Sequence, residues 1–451
     1  MAPSSCCIVG AGPAGMVLAL LLARRGVPVT LLEAQKDFDR EFRGDTIHPG
    51  ILEILDQVGL AEPLHDVPHV KWLGPSLVTA AGTVPLMDFT RLATRFPYIM
   101  LVPQDRFLEF LAKEASKYPH FRLVMGARVQ ELIEEDGVVR GVRYRASGSE
   151  ALTEVRAQLT IGSDGRFSRV RHLAGVEPEV LSEPMELLWF RLPRLEGDAE
   201  TFDAVESVVR GNPFAIMRGD GGRSAGFLHR GDGFLLGIFN RIDHWQVAYI
   251  HTPGDYQRLK AAGLDAFRAS VLGLEPRLAP HLATLNEWRE LAPLSVAFSR
   301  CRQWHRPGLL LIGDAAHVMT PAAGAGIKYA IEDAVEAVNV LAGPLLEGTV
   351  RDADLAEVQR RRERPTRVIQ ALAGLQQRTM FARALRAGAH TASPARAPLW
   401  ARVVTKVPVL RDLPGRFIAF GVWRVRIEDV SDVGGGERPL ERRPHPLSPS
   451  P

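Results

Sequence analysis

The sequence predicts an α/β fold with a large, mainly antiparallel β-sheet insertion and a C-terminal helical segment. Two observations support this fold class. At residues 6–25 and 309–341, a short apolar run leads into a glycine-rich turn and then into an apolar helical pattern, which is typical of strands in a buried parallel sheet. Between them, residues 183–299 contain many short runs of alternating apolar and polar residues, a pattern that favours antiparallel strands.

Composition indicates a globular protein whose 451 residues suffice for two coupled domains. The net charge of +3 is small for this length, so we expect no nucleic-acid partner. There are three cysteines, two of which are neighbours in a predicted strand, and this usage fits a reducing cytoplasm. Neither a signal peptide nor an uncharged apolar stretch of transmembrane length is readable. We therefore expect a cytoplasmic protein with no metal site.

The N-terminal glycine turn is the strongest single motif. Gly10, Gly12 and Gly15 lie between an apolar strand and an apolar helix, with the spacing that allows a tight turn, close backbone approach to a pyrophosphate and tight helix packing. The helix then presents free N–H groups to phosphate. Glu33 ends the next apolar run and is placed to bind a ribose 2′-hydroxyl, which favours FAD or NAD over NADP. The alternative is an ordinary β–turn–α unit.

Two further turns combine glycine with an acid. The sequence SDG at 163–165 follows one apolar run, and GD at 313–314 follows another. The second turn continues into PAAGAGIKYAIEDA at 321–334, where a strong helical periodicity begins. We expect all three turns to converge on one dinucleotide.

In this order the three motifs resemble those of FAD-dependent monooxygenases of the p-hydroxybenzoate hydroxylase-like, single-component aromatic hydroxylase family. The resemblance covers residues 5–375, and GDAAHVMTPAAGAGI is its most diagnostic piece. It implies a Rossmann-like FAD-binding domain of the glutathione reductase type with an inserted, largely antiparallel β-sheet substrate domain. The expected FAD-binding domain comprises residues 1–75, 100–172 and 296–375, the substrate domain 76–99 and 173–295, the C-terminal helical region 376–430, and a disordered tail 431–451.

The resemblance implies that residues of all three motifs and of two loops bind FAD. They are Gly10, Gly12, Pro13, Ala14, Gly15, Glu33, Ala34, Arg43, Gln104, Asp164, Gly165, Gly313, Asp314, Pro321, Gly324, Ala325, Gly326, Ile327 and Lys328. Arg43 matches an arginine that reaches the FAD phosphates, whereas Lys328 departs from the asparagine often found at its position. The helix that begins near Gly326 would direct its positive end at the flavin, which stabilises the negative charge of the reduced ring.

The chemistry that the resemblance implies is oxygenation. NADH or NADPH would reduce FAD, and O₂ would be the co-substrate. A C4a-hydroperoxyflavin would then hydroxylate or epoxidise an electron-rich aromatic, a heteroaromatic such as a quinolone or polyketide, or an alkene. The alternatives are an FAD-dependent reductase of isoprenoid-type double bonds and a non-catalytic, GDI-like prenyl-binding escort. A flavin-dependent halogenase is disfavoured because its WxWxIP motif is missing.

The inserted sheet is expected to form the wall of the substrate site. Trp189 and Arg191 share one face of a predicted strand and Phe190 the other, because side chains alternate along a strand. The candidate substrate residues are Trp189, Arg191, Phe239, Arg241, Trp245 and Tyr249. For each aromatic residue the alternative is packing in the core of the sheet. An arginine among them would suit a carboxylate-bearing substrate.

Two weaker predictions concern catalysis and partners. His48 could deprotonate a phenol or enol, and the alternative is a structural histidine. Residues 382–424 mix basic with apolar side chains, which indicates a helical cap on the core or, alternatively, peripheral contact with the inner face of a membrane. The expected partner is a small aromatic or lipophilic substrate, and the pattern predicts no oligomeric state.

Overall fold

The computed structural model describes residues 4–39, 44–79, 82–182, 184–231, 233–319, 324–376 and 408–428. Its strands up to the middle of the chain are β1 (Ser4–Val9), β2 (Val29–Leu32), β3 (Thr46–Ile47), β4 (Val70–Thr79), β5 (Gly82–Pro85), β6 (Ile99–Leu101), β7 (Phe121–Val124), β8 (Ala127–Glu135), β9 (Val138–Ala146), β10 (Leu152–Gly162) and β11 (Pro178–Val180). The later strands are β12 (Met185–Pro193), β13 (Ala215–Gly219), β14 (Ser224–Arg230), β15 (Phe234–Asn240), β16 (His244–His251), β17 (Ala292–Val296), β18 (Ser299–Cys301), β19 (His305–Arg306), β20 (Leu309–Leu311) and β21 (His317–Val318).

The α-helices are interspersed among the strands, and the last three follow the final strand. They are α1 (Pro13–Arg24), α2 (Pro49–Gln57), α3 (Ala61–His65), α4 (Gln104–Ala115), α5 (Arg169–Leu173), α6 (Val205–Arg210), α7 (Asp255–Ala262), α8 (Leu264–Leu272), α9 (Ala279–Leu282), α10 (Ala325–Glu347), α11 (Asp352–Gln376) and α12 (Pro408–Phe420).

The first sheet is mainly parallel and has the order β19-β20-β10-β1-β2-β7. Strand β1 lies between β2 and β10, both of which run parallel to it. The apolar residues of β2 and β20 are fully buried, as expected where helices cover a parallel sheet. Helix α1 packs against α10 and α4. An antiparallel hairpin of β8 and β9 extends β10, and it turns at Asp136 and Gly137, which have positive φ angles of 51° and 75°.

The second sheet is antiparallel and has the order β17-β12-β16-β15-β14-β13-β4-β6-β3, with β5 beside β4. One face forms a separate hydrophobic core with α8 and α9, in which Phe190, Phe267 and Leu282 are almost fully buried. This architecture confirms the predicted α/β fold with an inserted antiparallel sheet. Strand β4 crosses the expected domain boundary after residue 75, and β3 and β6 also join this sheet. A third, small sheet contains β11, β18 and β21.

Helix α12 returns the end of the described chain to the first domain. A Cβ at Gly50 in α2 would lie 3.1 Å from the carbonyl oxygen of Ala419, and Ala419 and Phe420 are buried. Beyond the helix, the N–H of Ile427 donates to Oε1 of Gln57 at 3.0 Å. The remainder of the basic segment, at 382–407, and the tail at 431–451 lie outside the described residues. Among the described helices, none has the length and apolar composition to cross a membrane.

Candidate active site

The first two glycine motifs are in direct contact. A Cβ at Gly10, whose φ is +100°, would lie 2.6 Å from Cα of Asp164. A Cβ at Gly15 would lie 2.0 Å from the carbonyl oxygen of Gly10 and 2.6 Å from Oγ of Ser163. The Ser163 hydroxyl donates to the carbonyl oxygen of Gly10 at 2.8 Å. Only glycine therefore fits at these two positions, because any side chain would collide with backbone.

The third motif meets the first at the same edge of the sheet. A Cβ at Gly313 would lie 3.2 Å from Cβ of Ala330 in α10 and 3.5 Å from Cβ of Ala14 in α1. The carboxylate of Asp333 accepts hydrogen bonds from the Gly313 N–H at 2.9 Å and from Nε2 of His317 at 2.6 Å. Both ends of this turn are therefore held by one buried side chain. Asp314, between them, is half-buried.

The carboxylates of the first two motifs stabilise the turns themselves. Glu33 is 5% exposed, and it accepts the Ala11 N–H at 2.8 Å and the Gln35 N–H at 2.9 Å. Glu33 lies beside Ala34, which is exposed. Asp164 accepts from the Ser168 hydroxyl at 2.5 Å and from the Val170 N–H at 3.0 Å, so its carboxylate anchors the start of α5.

The combined geometry fits a dinucleotide. A Cβ at Gly12 would have no atom within 4 Å, so space is open beside the start of α1. Both α1 and α10 begin without a side-chain cap, at Gly12 and Gly324, which leaves N–H groups for phosphate and flavin oxygens. Oε1 of Gln104 is buried and has no hydrogen-bond partner among the described residues. The half-buried residues Pro13, Gly165, Ala325 and Gly326 line the same edge.

The loop that contains β3 contacts the start of α10. The Thr46 hydroxyl donates to the carbonyl oxygen of Gly324 at 3.1 Å, and a Cβ at Gly44 would lie 3.2 Å from Cδ1 of Ile327. Lys328 is 1% exposed, and its Nζ lies 2.7 Å from Oε1 of Glu332. Burial lowers the pKa of Lys328 although Glu332 opposes the shift.

Two predicted cofactor residues, Arg43 and Pro321, lie outside the described residues.

The Lys328 side chain reaches toward the end of α12, since a Cβ at Gly421 would lie 2.7 Å from its Nζ. The lysine side chain thus occupies the space between α10 and α12.

The structure does not support His48 as a general base. Its Nδ1 lies 3.0 Å from the carbonyl oxygen of Ile418, and its Nε2 lies 3.2 Å from that of Gly324. The side chain is 1% exposed, and burial together with the positive charge of Lys328 lowers the pKa of His48 to about 4. Both ring nitrogens lie against backbone carbonyl oxygens, so the histidine joins α12 to the cofactor turn. His317 is likewise structural.

A pocket that opens to solvent lies between the cofactor edge and the exposed face of the second sheet, with a cavity volume of about 50 Å³. Trp189 and Arg191 line it from β12, whereas Phe190 is buried on the opposite face, as the alternation predicted. Phe239 packs on Trp189 with ring centroids 6.0 Å apart. The complete lining consists of Phe38, Asp45, Pro103, Gln104, Asp105, Trp189, Arg191, Arg241, His244 and Gln246.

Two of the predicted substrate residues were wrong. Trp245 is 1% exposed and donates its indole N–H to Oδ2 of Asp198 at 2.7 Å. Tyr249 is 3% exposed and stacks on Phe234 with ring centroids 4.3 Å apart. Both belong to the hydrophobic core of the second sheet. The physical reason is the alternation of side chains along a strand. Trp245 and Tyr249 are an even number of residues apart and share one face of β16, whereas Gln246 lies on the other face, toward the pocket.

Asp45 is the functional candidate that the sequence analysis missed. Its side chain is 14% exposed, lines the pocket and forms an ion pair through Oδ2 with Nε of Arg241. Burial raises the pKa of Asp45 although Arg241 and His244 oppose the shift. The sequence contained one indication of a functional role for Asp45, because this residue lies in the same polar loop as Arg43 and His48. The pair places one acid–base group at the border between the two sheets.

Comparisons with known proteins agree with this geometry. A sequence profile of the FAD binding domain family matches residues 4–372. The chain is 31% identical over 438 residues to the 6-methylpretetramide 4-monooxygenase of Streptomyces rimosus, with 95% of each chain covered. The chain belongs to the p-hydroxybenzoate hydroxylase-like family of FAD-dependent monooxygenases.

Two other similarities extend over most of this monooxygenase. It is 25% identical over 364 residues to the para-nitrophenol 4-monooxygenase of a Pseudomonas species, covering 79% of this chain and 82% of that one. The solved structure of the OxyS anhydrotetracycline hydroxylase from Streptomyces rimosus has a similar fold, with a TM-score of 0.64 and 23% identity over 92% of this chain and 75% of that chain. The expectation of a flavoprotein monooxygenase is therefore confirmed.

Proposed function

We propose that this monooxygenase hydroxylates a flat, electron-rich aromatic substrate of the polyketide or phenol class, using NADH or NADPH and O₂. The observation that carries the proposal is the pocket between the cofactor edge and the second sheet, which combines an aromatic wall with an acid–base pair. The names of two relatives, a pretetramide and a nitrophenol monooxygenase, support a hydroxylated aromatic substrate. Epoxidation of an alkene would not need the acid–base pair.

The pocket supplies both apolar and polar contacts to such a ring. Trp189 and Phe38 line the pocket and can pack against a flat substrate, whereas Phe239, which packs on Trp189, is not part of the lining. Arg191 is exposed and forms no ion pair with another described residue. Gln246 donates its amide N–H to the carbonyl oxygen of Phe190 at 2.7 Å, which leaves its Oε1 as an acceptor. A substrate with an enolate, phenolate or carboxylate edge would pair with Arg191.

Asp45 acts as the base that accepts a proton from the substrate. Arg241 contacts Oδ2, so Oδ1 can accept the proton of a phenol or enol hydroxyl on the substrate. The resulting anion is more electron-rich at the ring carbon and reacts faster with an electrophilic oxygen. The Arg241 guanidinium holds the carboxylate in place and balances its charge. When bound, FAD supplies the redox chemistry that activates O₂.

The function is tested by NADH and NADPH oxidation with a panel of phenols, quinolones and aromatic polyketides. We expect a substrate to accelerate oxidation and to yield a product that carries one atom from ¹⁸O₂. Reduction of a double bond without ¹⁸O incorporation would instead support the reductase alternative. A folded protein that binds no FAD would support the escort and contradict the proposal.

The role of Asp45 is tested by the pH dependence of kcat. Because Asp45 acts as the base, kcat should rise with pH through its pKa, which burial places above the ordinary range of a carboxyl group. Asp45→Asn should remove this rise and lower kcat by about 10²-fold or more. Asp105→Asn is the matched control, since Asp105 lines the same pocket without contacting Arg241. An unchanged profile in Asp45→Asn would refute the role.

A further inference from the structure

The turn between β15 and β16 contains an unusual backbone conformation. Among the described residues, three that are not glycine have a positive φ, namely Asp136, Asn212 and Ile242, with values of 51°, 53° and 74°. Asp and Asn tolerate this region because their short polar side chains bond locally. For Ile242, which is β-branched and 41% exposed, the conformation is a true outlier. Such strain persists only where neighbouring contacts enforce it.

Those contacts come from a hydrogen-bonded cluster of Arg194, Asn240 and Asp203 behind the turn, which we call the brace. Oδ1 of Asn240 accepts the Ile242 N–H at 3.0 Å and Nη1 of Arg194 at 3.0 Å. Nδ2 of Asn240 donates to Oδ1 of Asp203 at 3.2 Å. Nη2 of Arg194 in turn lies 2.8 Å from each carboxylate oxygen of Asp203. Asn240 is 7% exposed, whereas Arg194 and Asp203 are half-buried, so the three side chains form a partly buried network with Asn240 at its centre.

The strained turn carries one side chain of the pocket. Arg241 is 6% exposed, donates from Nη1 to the carbonyl oxygen of Asn240 at 3.0 Å, and forms the ion pair with Asp45. Asp45 belongs to the loop that bonds to Gly324 through Thr46. The ion pair therefore joins the tip of the second sheet to the cofactor edge of the first domain, across the pocket.

We propose that Arg194, Asn240 and Asp203 are positioning residues, which hold the strained turn at Ile242 so that Arg241 stays against Asp45. The inference rests on the proposed role of Asp45 as the base. The other charged or titratable groups around this carboxylate are His244 from β16, Arg191 from β12 and Asp105 from α4. Arg191 and Asp105 lie on other elements, whereas the carbonyl oxygen of His244 accepts the Arg241 N–H at 3.1 Å across the turn. A loss of the brace therefore acts on Asp45 through Arg241 and, in the same direction, through His244.

The test compares pH profiles of kcat for the holoenzyme and its variants. Asn240→Ala removes the acceptor that Ile242 and Arg194 share, so the turn should relax and withdraw Arg241. Because Arg241 opposes the effect of burial on Asp45, the rise in kcat should shift to higher pH, by about one unit or more. Asn212→Ala is the matched control, since Asn212 also has a positive φ but lies outside the pocket lining. It should keep the wild-type profile.

Two further variants separate positioning from a general loss of structure. In Asn240→Ala/Ile242→Gly the turn has no strain to release, because glycine adopts a positive φ freely, so the profile should return toward that of the wild type. Arg194→Lys keeps a charge beside Asp203 but cannot donate to Asp203 and Asn240 as a fork, and should cause a smaller shift in the same direction.

The outcomes are distinct. If Asn240→Ala keeps the wild-type pH profile of kcat, the positioning role is overturned. The same holds if Asn240→Ala/Ile242→Gly does not shift the profile back toward that of the wild type. Neither result affects the role of Asp45 as the base. If the kcat of the wild-type enzyme does not rise with pH, or if the same rise remains in Asp45→Asn, both the role of Asp45 as the base and the positioning role are overturned.

Discussion

At the scale of single residues, two glycines of one motif are required for different reasons. A Cβ at Gly15 would lie 2.0 Å from the carbonyl oxygen of Gly10, whereas a Cβ at Gly12 would meet no atom within 4 Å. Gly12 also has an ordinary φ of −73°. Gly15 is therefore needed by the fold itself, and Gly12 is needed only if a ligand occupies the open space.

This difference predicts opposite behaviour of two alanine variants. Gly12→Ala should leave the stability of the FAD-free protein within about 0.5 kcal/mol of the wild type and weaken FAD binding about tenfold or more, which is about 1.4 kcal/mol. Gly15→Ala should destabilise the FAD-free protein by about 3 kcal/mol or more. Urea unfolding and flavin fluorescence titration measure the two effects. Equal FAD affinity in Gly12→Ala would argue that the pyrophosphate lies elsewhere.

At the scale of elements, a buried ionic network couples α10 to α11. Nε of Arg362 lies 2.7 Å from Oδ1 of Asp333, and its Nη2 lies 2.8 Å from Oε2 of Glu332. All three side chains are at most 4% exposed. Asp333 also holds the Gly313 turn and His317, so the network connects the last long helix to the third motif.

The network predicts a large penalty for losing its cation. Arg362→Met would remove the ion pairs of two buried carboxylates, leaving Lys328 beside Glu332, which should reduce the free energy of unfolding by about 3 kcal/mol. Arg360→Met is the matched control, because Arg360 pairs with Glu357 in solvent, and its stability should not change measurably. Urea unfolding curves of both variants check this. Similar stabilities for the two would show that the buried network contributes little.

At the scale of the whole molecule, α12 completes the cofactor edge. Ile418 contacts His48, and Glu428 pairs with Arg361 of α11 at 2.7 Å. Removal of the C-terminal region would therefore disturb the first domain, and truncation is a poor test of membrane contact. The same region exposes apolar side chains, since Leu413 is 48% exposed and Trp423 is 53% exposed.

The expectation of peripheral membrane contact is tested by two surface substitutions. If these exposed side chains insert into an anionic bilayer surface, Leu413→Ser/Trp423→Ser should reduce co-sedimentation with phosphatidylglycerol vesicles several-fold at low salt. Leu346→Ser serves as the control, because Leu346 is 54% exposed on α10. Failure of the wild-type protein to sediment with the vesicles would remove the expectation.

The sequence alone determined the fold class, the three turns and their common function. These features depend on local patterns, in which an apolar strand, a glycine of required conformation and a helix start follow one another within a few residues. The alternation of side chains also placed Trp189 and Arg191 together and Phe190 opposite. It could not tell which face of β16 meets the pocket, so Trp245 was assigned to the wrong one.

Only the tertiary structure decided the ion pair on which the proposed acid–base role rests. Asp45 and Arg241 lie far apart in the chain, and no local pattern indicates that they form an ion pair. His48, in the same loop as Asp45, contacts backbone on both sides of its ring because α12 returns to cover it. Burial and long-range contact set the charge and freedom of a side chain, and both depend on how distant segments pack. The cofactor motifs are therefore visible in the sequence, whereas the ion pair of Asp45 and Arg241 follows from the packing.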